Sequence, residues 1–396
     1  MHKIHGGRGM IFVRSPDAFR KKRGTTMKTV TKLTSLLAAA LLLTGCGQSI
    51  PEAPESEAPA PVQETQAEAP AQETEAPPVE EDPLPEIGGG INPLTGEAGY
   101  NEAAEGKRPV AVMVNNLSLS YPQYGVSQAD IIYEIPVEGG ITRFMAIYAD
   151  YTNVPDVCSV RSCRYYFPVV AMGMDAIYCH WGAEQNHAVA KLNSLGIDHL
   201  DGSAMERSLL FYRDPDRVGK YASEHTGYLK GEELPKAIEQ YGFRTDAYTN
   251  SGAFSFSDGS YVPAENTAKR VNVNFSESRE SHFTYDEGTQ TYLLYYYDNP
   301  QIDGKTEQQL AFTNVFVLQT EIGFLDEGNY LRSVALDGGS GYYVSKGGVE
   351  TITWSKNGEA APIRVFHADG SELSVNPGKS YIGIISGSRP VTFSAE

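Results

Sequence analysis

Between residues 130 and 182 the chain sets long apolar runs against short polar breaks. Two runs rich in β-branched residues, 131–137 and 141–149, flank Glu138-Gly139-Gly140. Extended runs with glycines between them predict a β-hairpin. A loop carrying Arg161 and Arg164 then enters the apolar segment 165–174, whose aromatic, Val and Met positions predict a helix with a core-facing stripe. A strand over 176–179 ends at His180-Trp181-Gly182. Upstream, 109–115 reads as a buried strand. Downstream, 183–195 reads as a helix closed by Gly196, and 232–241 as another. This mixture indicates an α/β domain over 92–245. The polar, Gly/Ser/Asn-rich stretch 245–269 marks a boundary. Beyond it come short strands at 270–275, 282–285, 291–297, 313–318, 341–344, 350–354, 363–367 and 380–385. The fold class is therefore α+β: an N-terminal mixed α/β domain followed by a β-rich, mostly antiparallel C-terminal domain over 265–396.

The N-terminal pattern is of another kind. Lys28 and Lys32 precede the apolar segment 36–43, too short for a membrane span, which needs roughly 20 residues. Leu43-Thr44-Gly45-Cys46 follows, in the order of a bacterial lipobox. Residues 27–46 are read as a lipoprotein signal peptide, with Cys46 lipidated. Residues 1–26 are basic, with Arg20-Lys21-Lys22-Arg23, and do not fit a leader. They are read as an extension before a start at Met27, with a basic address tag as the rival reading. Residues 47–91 form an acidic, Pro/Glu-rich stalk. Such a segment cannot bury enough apolar surface to order itself, and self-repelling glutamates keep it extended.

Charge sharpens this division. The whole chain carries a net −18, of which residues 1–46 hold +8 and residues 47–87 hold −11, leaving −15 on the folded part. An acidic folded part excludes nucleic acid as a general partner. An anionic polymer needs a local basic pocket. Beside Cys46 there are Cys158, Cys163 and Cys179, an odd number. A disulfide between Cys158 and Cys163, or Cys163 and Cys179, is compatible with the spacing, and one thiol stays free. No spaced Cys/His set for zinc occurs. No cofactor is called for.

Several motifs together resemble one family. They are Asn92-Pro93-Leu94-Thr95-Gly96, the run RPVAVMVNN from Arg108 to Asn116, Gln128-Ala129-Asp130, and EIPVEGGITR from Glu134 to Arg143. Val160-Arg161-Ser162 with Arg164, Ile177-Tyr178 with His180 and Gly182, Thr353-Trp354-Ser355-Lys356 and Pro377-Gly378-Lys379 continue the match. The chain resembles the YerB-like bacterial lipoproteins over nearly all of 92–390. The resemblance implies a membrane-anchored surface lipoprotein with two conjoined domains, and implies no reaction. Cys158, Cys163 and Cys179 stand where the family pattern has small or apolar residues. Thr226 follows His225 in place of Asn.

Arg161, Arg164, His180, Arg213, Arg217 and His225 are the ligand-binding candidates. Several guanidinium groups in one cleft of an acidic domain make an anion site, because arginine binds phosphate or carboxylate bidentately. The alternative is local pairing: Arg213 with Asp214 or Asp216, and Arg164 with Asp175. Glu184 and His187, with His180 nearby, have spacing compatible with a metal but lack a clear third ligand. Asp198 and Asp201 fit an acid/base pair or an ordinary turn. Ser162 is a weak candidate nucleophile with His180 as its base, lacking any Gly-x-Ser-x-Gly elbow. Tyr295-Tyr296-Tyr297 reads as a packed sheet face, with sugar or partner stacking as the alternative. The leading reading is a non-catalytic lipoprotein on the outer face of the cytoplasmic membrane that binds an envelope protein or an anionic wall polymer. The rival is an envelope hydrolase or transferase acting on a phosphodiester or glycan.

The ordered leader generates the first prediction. Cys46→Ser should release the protein from membranes, and the wild type should carry a lipid mass on Cys46. Unchanged membrane retention of the variant, with no lipid on the wild type, would overturn it.

Overall fold

The computed structural model describes residues 90–248, 254–328 and 330–396. The leader, Cys46 and residues 47–89 of the stalk lie outside the described residues. Gly90 and Ile91, the end of the expected stalk, are bonded into the fold. Tyr100 N–H donates to the Gly90 carbonyl at 2.8 Å, and Ile91 bridges Ala98. All described residues fall in one compact unit.

Strands β1 (Val110–Asn115), β2 (Ile131–Pro136) and β3 (Thr142–Tyr148) lie within an eleven-stranded sheet. β2 and β3 are the expected hairpin, and β3 pairs antiparallel with β1. Ile177–His180 runs parallel to β1, and His199–Asp201 parallel to that strand. On the other side Ser380–Ser386 lies parallel to β2, then come Asn314–Thr320, Gly338–Ser345 and Gly348–Ser355. The sheet thus joins strands from before and after the polar segment 245–269. A second, six-stranded antiparallel sheet includes Arg270–Ser276, Arg279–Asp286 and Thr291–Tyr296. The C-terminal half is strand-rich and mostly antiparallel.

Every residue of β1, β2 and β3 is buried. Both faces of the sheet are covered, which is why these strands read as continuous apolar runs rather than alternations. One face carries Val112, Val114, Ile132 and Phe144, in the same core as Val271, Val273 and Phe275 of the second sheet. Those three alternate with half-exposed residues, as the run RVNVNF predicts. Helix α1 (Tyr166–Gly173) and helix α2 (His187–Leu195) cover the opposite face, where Phe167, Val170 and Leu192 meet Met113, Tyr133 and Met145. Helix α3 (Leu234–Tyr241) adds Leu234 and Ile238 to the first core. Helix α2 begins at His187, later than its pattern suggests, because the Glu184 carboxylate accepts the N–H groups of Asn186, His187 and Ala188. It ends at Gly196, which takes the left-handed conformation at φ 60°. No helix among the described residues is long and apolar enough to cross a membrane.

A buried charge pair sits where the two sheets meet. Glu134 of β2 is fully buried and lies opposite Gly383. A Cβ at Gly383 would stand 3.2 Å from the Phe275 ring, so a larger residue would press on the second sheet there. The Glu134 carboxylate accepts from Arg279 Nε at 3.0 Å, Tyr381 OH at 2.6 Å, Thr142 Oγ1 at 2.6 Å and Asn116 Nδ2 at 3.0 Å. Arg279 comes from the second sheet and also donates to the Asn116 carbonyl and to Tyr121 OH. Its guanidinium lies 3.9 Å over Tyr296. Burial opposes the Arg279 charge, and Glu134 together with Tyr121 and Tyr296 outweighs it, so its pKa is raised. Of the tyrosine run, Tyr296 serves this pair, Tyr295 stacks on His282, and Tyr297 is exposed.

Removing one partner of a buried pair strands the other. Arg279→Met should lower unfolding stability by about 3–5 kcal/mol, while Glu134→Gln with Arg279→Met should lose less than the sum of the single variants. Urea unfolding of the mature protein measures both. Strictly additive losses would show that the two residues do not act as a pair.

Candidate functional site

β1 ends where the antiparallel β3 begins, with Asn115 opposite Arg143. The loop after the short strand Val157–Cys158 returns to this end. Val160 bridges Val114, and Arg161 N–H donates to the Met113 carbonyl at 3.0 Å. The turn Ser223–His225 approaches the same place. Arg213 donates to its Ser223 carbonyl at 2.7 Å, Arg161 to Glu224 at 2.8 Å and Arg217 to His225 at 3.4 Å. His225 Nδ1 lies 2.8 Å from Asn115 Nδ2 and accepts from it, which leaves the ring neutral with its proton on Nε2. Four of the six candidate residues therefore gather on one turn.

Three of the candidate arginines are held by carboxylates, two of them, Arg164 and Arg213, not by those that sequence nearness suggests. Arg164 pairs with Glu138 at 2.6 Å rather than with Asp175. Arg213 pairs with Glu206 at 3.0 Å rather than with Asp214 or Asp216, and its guanidinium lies 4.3 Å over Trp181. Asp214 instead faces the fully buried Arg217 at 3.4 Å. Asp175 instead holds Arg244 and Arg108. Among the described residues, no carboxylate lies within ion-pair distance of Arg161.

Arg143, which is not among the sequence candidates, completes the group. Of the buried arginines among the described residues, Arg108, Arg217 and Arg279 each have a carboxylate partner, and Arg143 has none. Its Nη1 donates to the Ser162 carbonyl, and its Nε is buried without a partner. Arg161 Nε is buried and unpartnered as well. Burial first, then repulsion from Arg164 and Arg161, lowers the Arg143 pKa to about 9. Burial, with Arg164 and Arg213 adding to it, lowers that of Arg161. Burial and then Arg161 push His225 down. A guanidinium stays protonated in proteins, and Glu138, which acts on Arg143 from beyond ion-pair distance, is already paired with Arg164, so Arg143 is a buried charge that an anion would complete. The signal for Arg143 was a lone charge at the start of an otherwise apolar strand.

His180 stands apart from this group. Its Nδ1 donates to the Gly182 carbonyl at 2.8 Å, and its Nε2 lies 3.0 Å from His199 Nδ1. Both ring nitrogens are engaged, so the pairing of Ser162 with His180 as its base is not formed. Burial lowers the His180 pKa to about 4, against the pull of Asp201. Asp201 accepts from the Gly182 and Ser203 N–H groups, and Asp198 from Arg108, so neither forms an acid/base pair with the other. Glu184 caps helix α2 instead of pointing with His187 at a metal. The described residues contain no group of three or more His, Cys, Asp or Glu side chains placed to hold a metal ion. Cys158, Cys163 and Cys179 are free and buried, so neither candidate disulfide forms. Burial pushes the Cys158 and Cys163 thiols up to about 12.

Residues 94–244 match the N-terminal domain of a family described as a protein of unknown function (DUF3048), and residues 271–382 match its C-terminal domain. The chain is 31% identical over 313 residues to YerB of Bacillus subtilis (strain 168), a protein that carries the name of a lipoprotein. The match covers 77% of this chain and 89% of YerB. The crystal structure of the YerB protein from Bacillus subtilis is similar with a TM-score of 0.67 at 28% identity, covering 76% of this chain and 99% of that one.

The buried His180 makes stability depend on acid. Its ordinary value of 6.5 falls to about 4 in the fold. The unfolded chain therefore takes up the proton first, and stability present above 6.5 is lost as pH falls, the loss being complete below about 4. The contribution is on the order of 3 kcal/mol. Denaturant unfolding across this range should show a smaller pH slope for His180→Gln than for the wild type. Equal slopes would remove His180 as the cause.

Proposed function

Because the chain belongs to the family of YerB-like lipoproteins built on the two DUF3048 domains, we propose that it is anchored by a lipid on Cys46 at the outer face of the cytoplasmic membrane and binds an anionic component of the cell envelope. The acidic stalk holds the folded part away from anionic head groups. In this reading the N-terminal half is a mixed α/β domain, and it supplies the site. The observation that carries the reading is Arg143, a buried guanidinium with no carboxylate partner beside the unpartnered Nε of Arg161. The hydrolase or transferase reading has less support, because His180, Asp198 and Asp201 are committed to other bonds. A wall polymer rich in phosphate fits the site better than a protein surface, since its charges are regularly available to bidentate arginine.

Calorimetric titration of the mature protein with phosphorylated wall fragments tests this. Arg143→Met should weaken binding by roughly tenfold or more, with stability changed by no more than about 1 kcal/mol, because the residue lost is a charge without a partner. A bound anion offsets the repulsion from Arg161 that adds to burial in lowering His225, so binding takes up a proton and tightens as pH falls toward the ordinary histidine value, with the Asn115 amide turning its oxygen to the protonated ring. Negligible heats for wild type and variant alike, together with a large drop in Tm for Arg143→Met, would show that Arg143 is structural.

A further inference from the structure

An open groove of about 630 Å³ lies beside the turn that carries the arginines. Tyr212, Arg213, Leu209 and Val218 line it, with Glu206 and Lys230 among its charged groups. Tyr212 faces Tyr228 across a strand pair, the rings nearly parallel with centroids 4.9 Å apart. The Tyr228 hydroxyl donates to Asp156 at 2.6 Å, which fixes the lower ring and through it the plane of Tyr212. Among the described residues, Tyr228 is the one ring packed against Tyr212, and no cation lies over it. Leu209 and Val218 are 77% and 56% exposed. These are apolar surfaces inside a charged groove.

Arg213 joins this groove to the anion site. It lines the groove, and it shares the Ser223–His225 turn with Arg161, the two donating to adjacent carbonyls. A ligand that crosses Arg213 thus meets an aromatic ring on one side and, on the other, the Arg161 guanidinium, which in turn acts on Arg143. Pyranose sugars have that dual character. Their C–H faces pack on aromatic rings, and their hydroxyls donate to carboxylates and accept from Lys or Arg. A phosphate on the same sugar would reach the arginines.

We infer that the site takes a phosphorylated saccharide, with its sugar ring on Tyr212 in the groove and its phosphate on Arg143 and Arg161. The inference rests on the anion reading above and adds the sugar to it. Titration of the mature protein with inorganic phosphate and with N-acetylglucosamine 1-phosphate separates the two. The sugar phosphate should bind about tenfold tighter than phosphate alone. Tyr212→Ala should abolish that advantage and leave phosphate binding unchanged. Val218→Trp, a substitution at an exposed position that fills the groove, should do the same without disturbing the Tyr212–Tyr228 stack. Arg143→Met should weaken both ligands. Equal affinity for the two ligands in the wild type, or an advantage that survives in both groove variants, would overturn the sugar site while leaving the anion site standing. Failure of both ligands to bind would overturn both.

Discussion

The contact on which the architecture depends is the buried pair of Glu134 and Arg279. Each residue would be expensive to bury alone. Together they neutralise one another between the two sheets, and Thr142, Asn116, Tyr381 and Tyr121 satisfy the oxygens and nitrogens that remain. The pair gives the packing of sheet on sheet a fixed register, which apolar contact alone would specify less sharply. It also ties residues near 116 and 134 to residues near 279 and 381, so the two regions matched by separate family models share one polar centre.

Much of the local structure was legible in sequence. The hairpin of β2 and β3, the strand at β1, helix α1 and the alternating strand Arg270–Ser276 were all visible because each is encoded by periodicity within a few residues. The C-terminal strands followed from turn residues at short intervals. What stayed hidden was non-local. Nothing in the pattern reveals that Ser380–Ser386 lies beside β2, since both are equally apolar runs. Helix α2 starts late because one carboxylate caps it, a side-chain detail to which periodicity is blind.

The site was half legible for the same reason. Arg161, Arg213, Arg217 and His225 stood out as candidate anion-binding side chains, and they do share a turn. The partners of Arg164 and Arg213 could not be read from nearness in sequence: Glu138 reaches Arg164 from the β2–β3 turn, and Glu206 reaches Arg213 from the preceding loop. Arg143 was passed over because it opens a strand within a recognisable motif. Its importance rests on the lack of a carboxylate at ion-pair distance, which only three dimensions reveal.

The parallel pairing of β2 with Ser380–Ser386 also bears on how the chain is made. Tyr381 and Glu134 touch although 247 positions separate them. A chain that emerges amino end first holds β2 with one edge unpaired until almost its last strand appears. Loop-closure entropy must be overcome before that contact forms, which slows folding in chains dominated by distant pairings. During biogenesis the exposed edge of an apolar strand is a template for the wrong neighbour. The molecule therefore spends its synthesis in its most aggregation-prone form, and helpers that shield extended apolar chain matter more to its yield than to its finished stability.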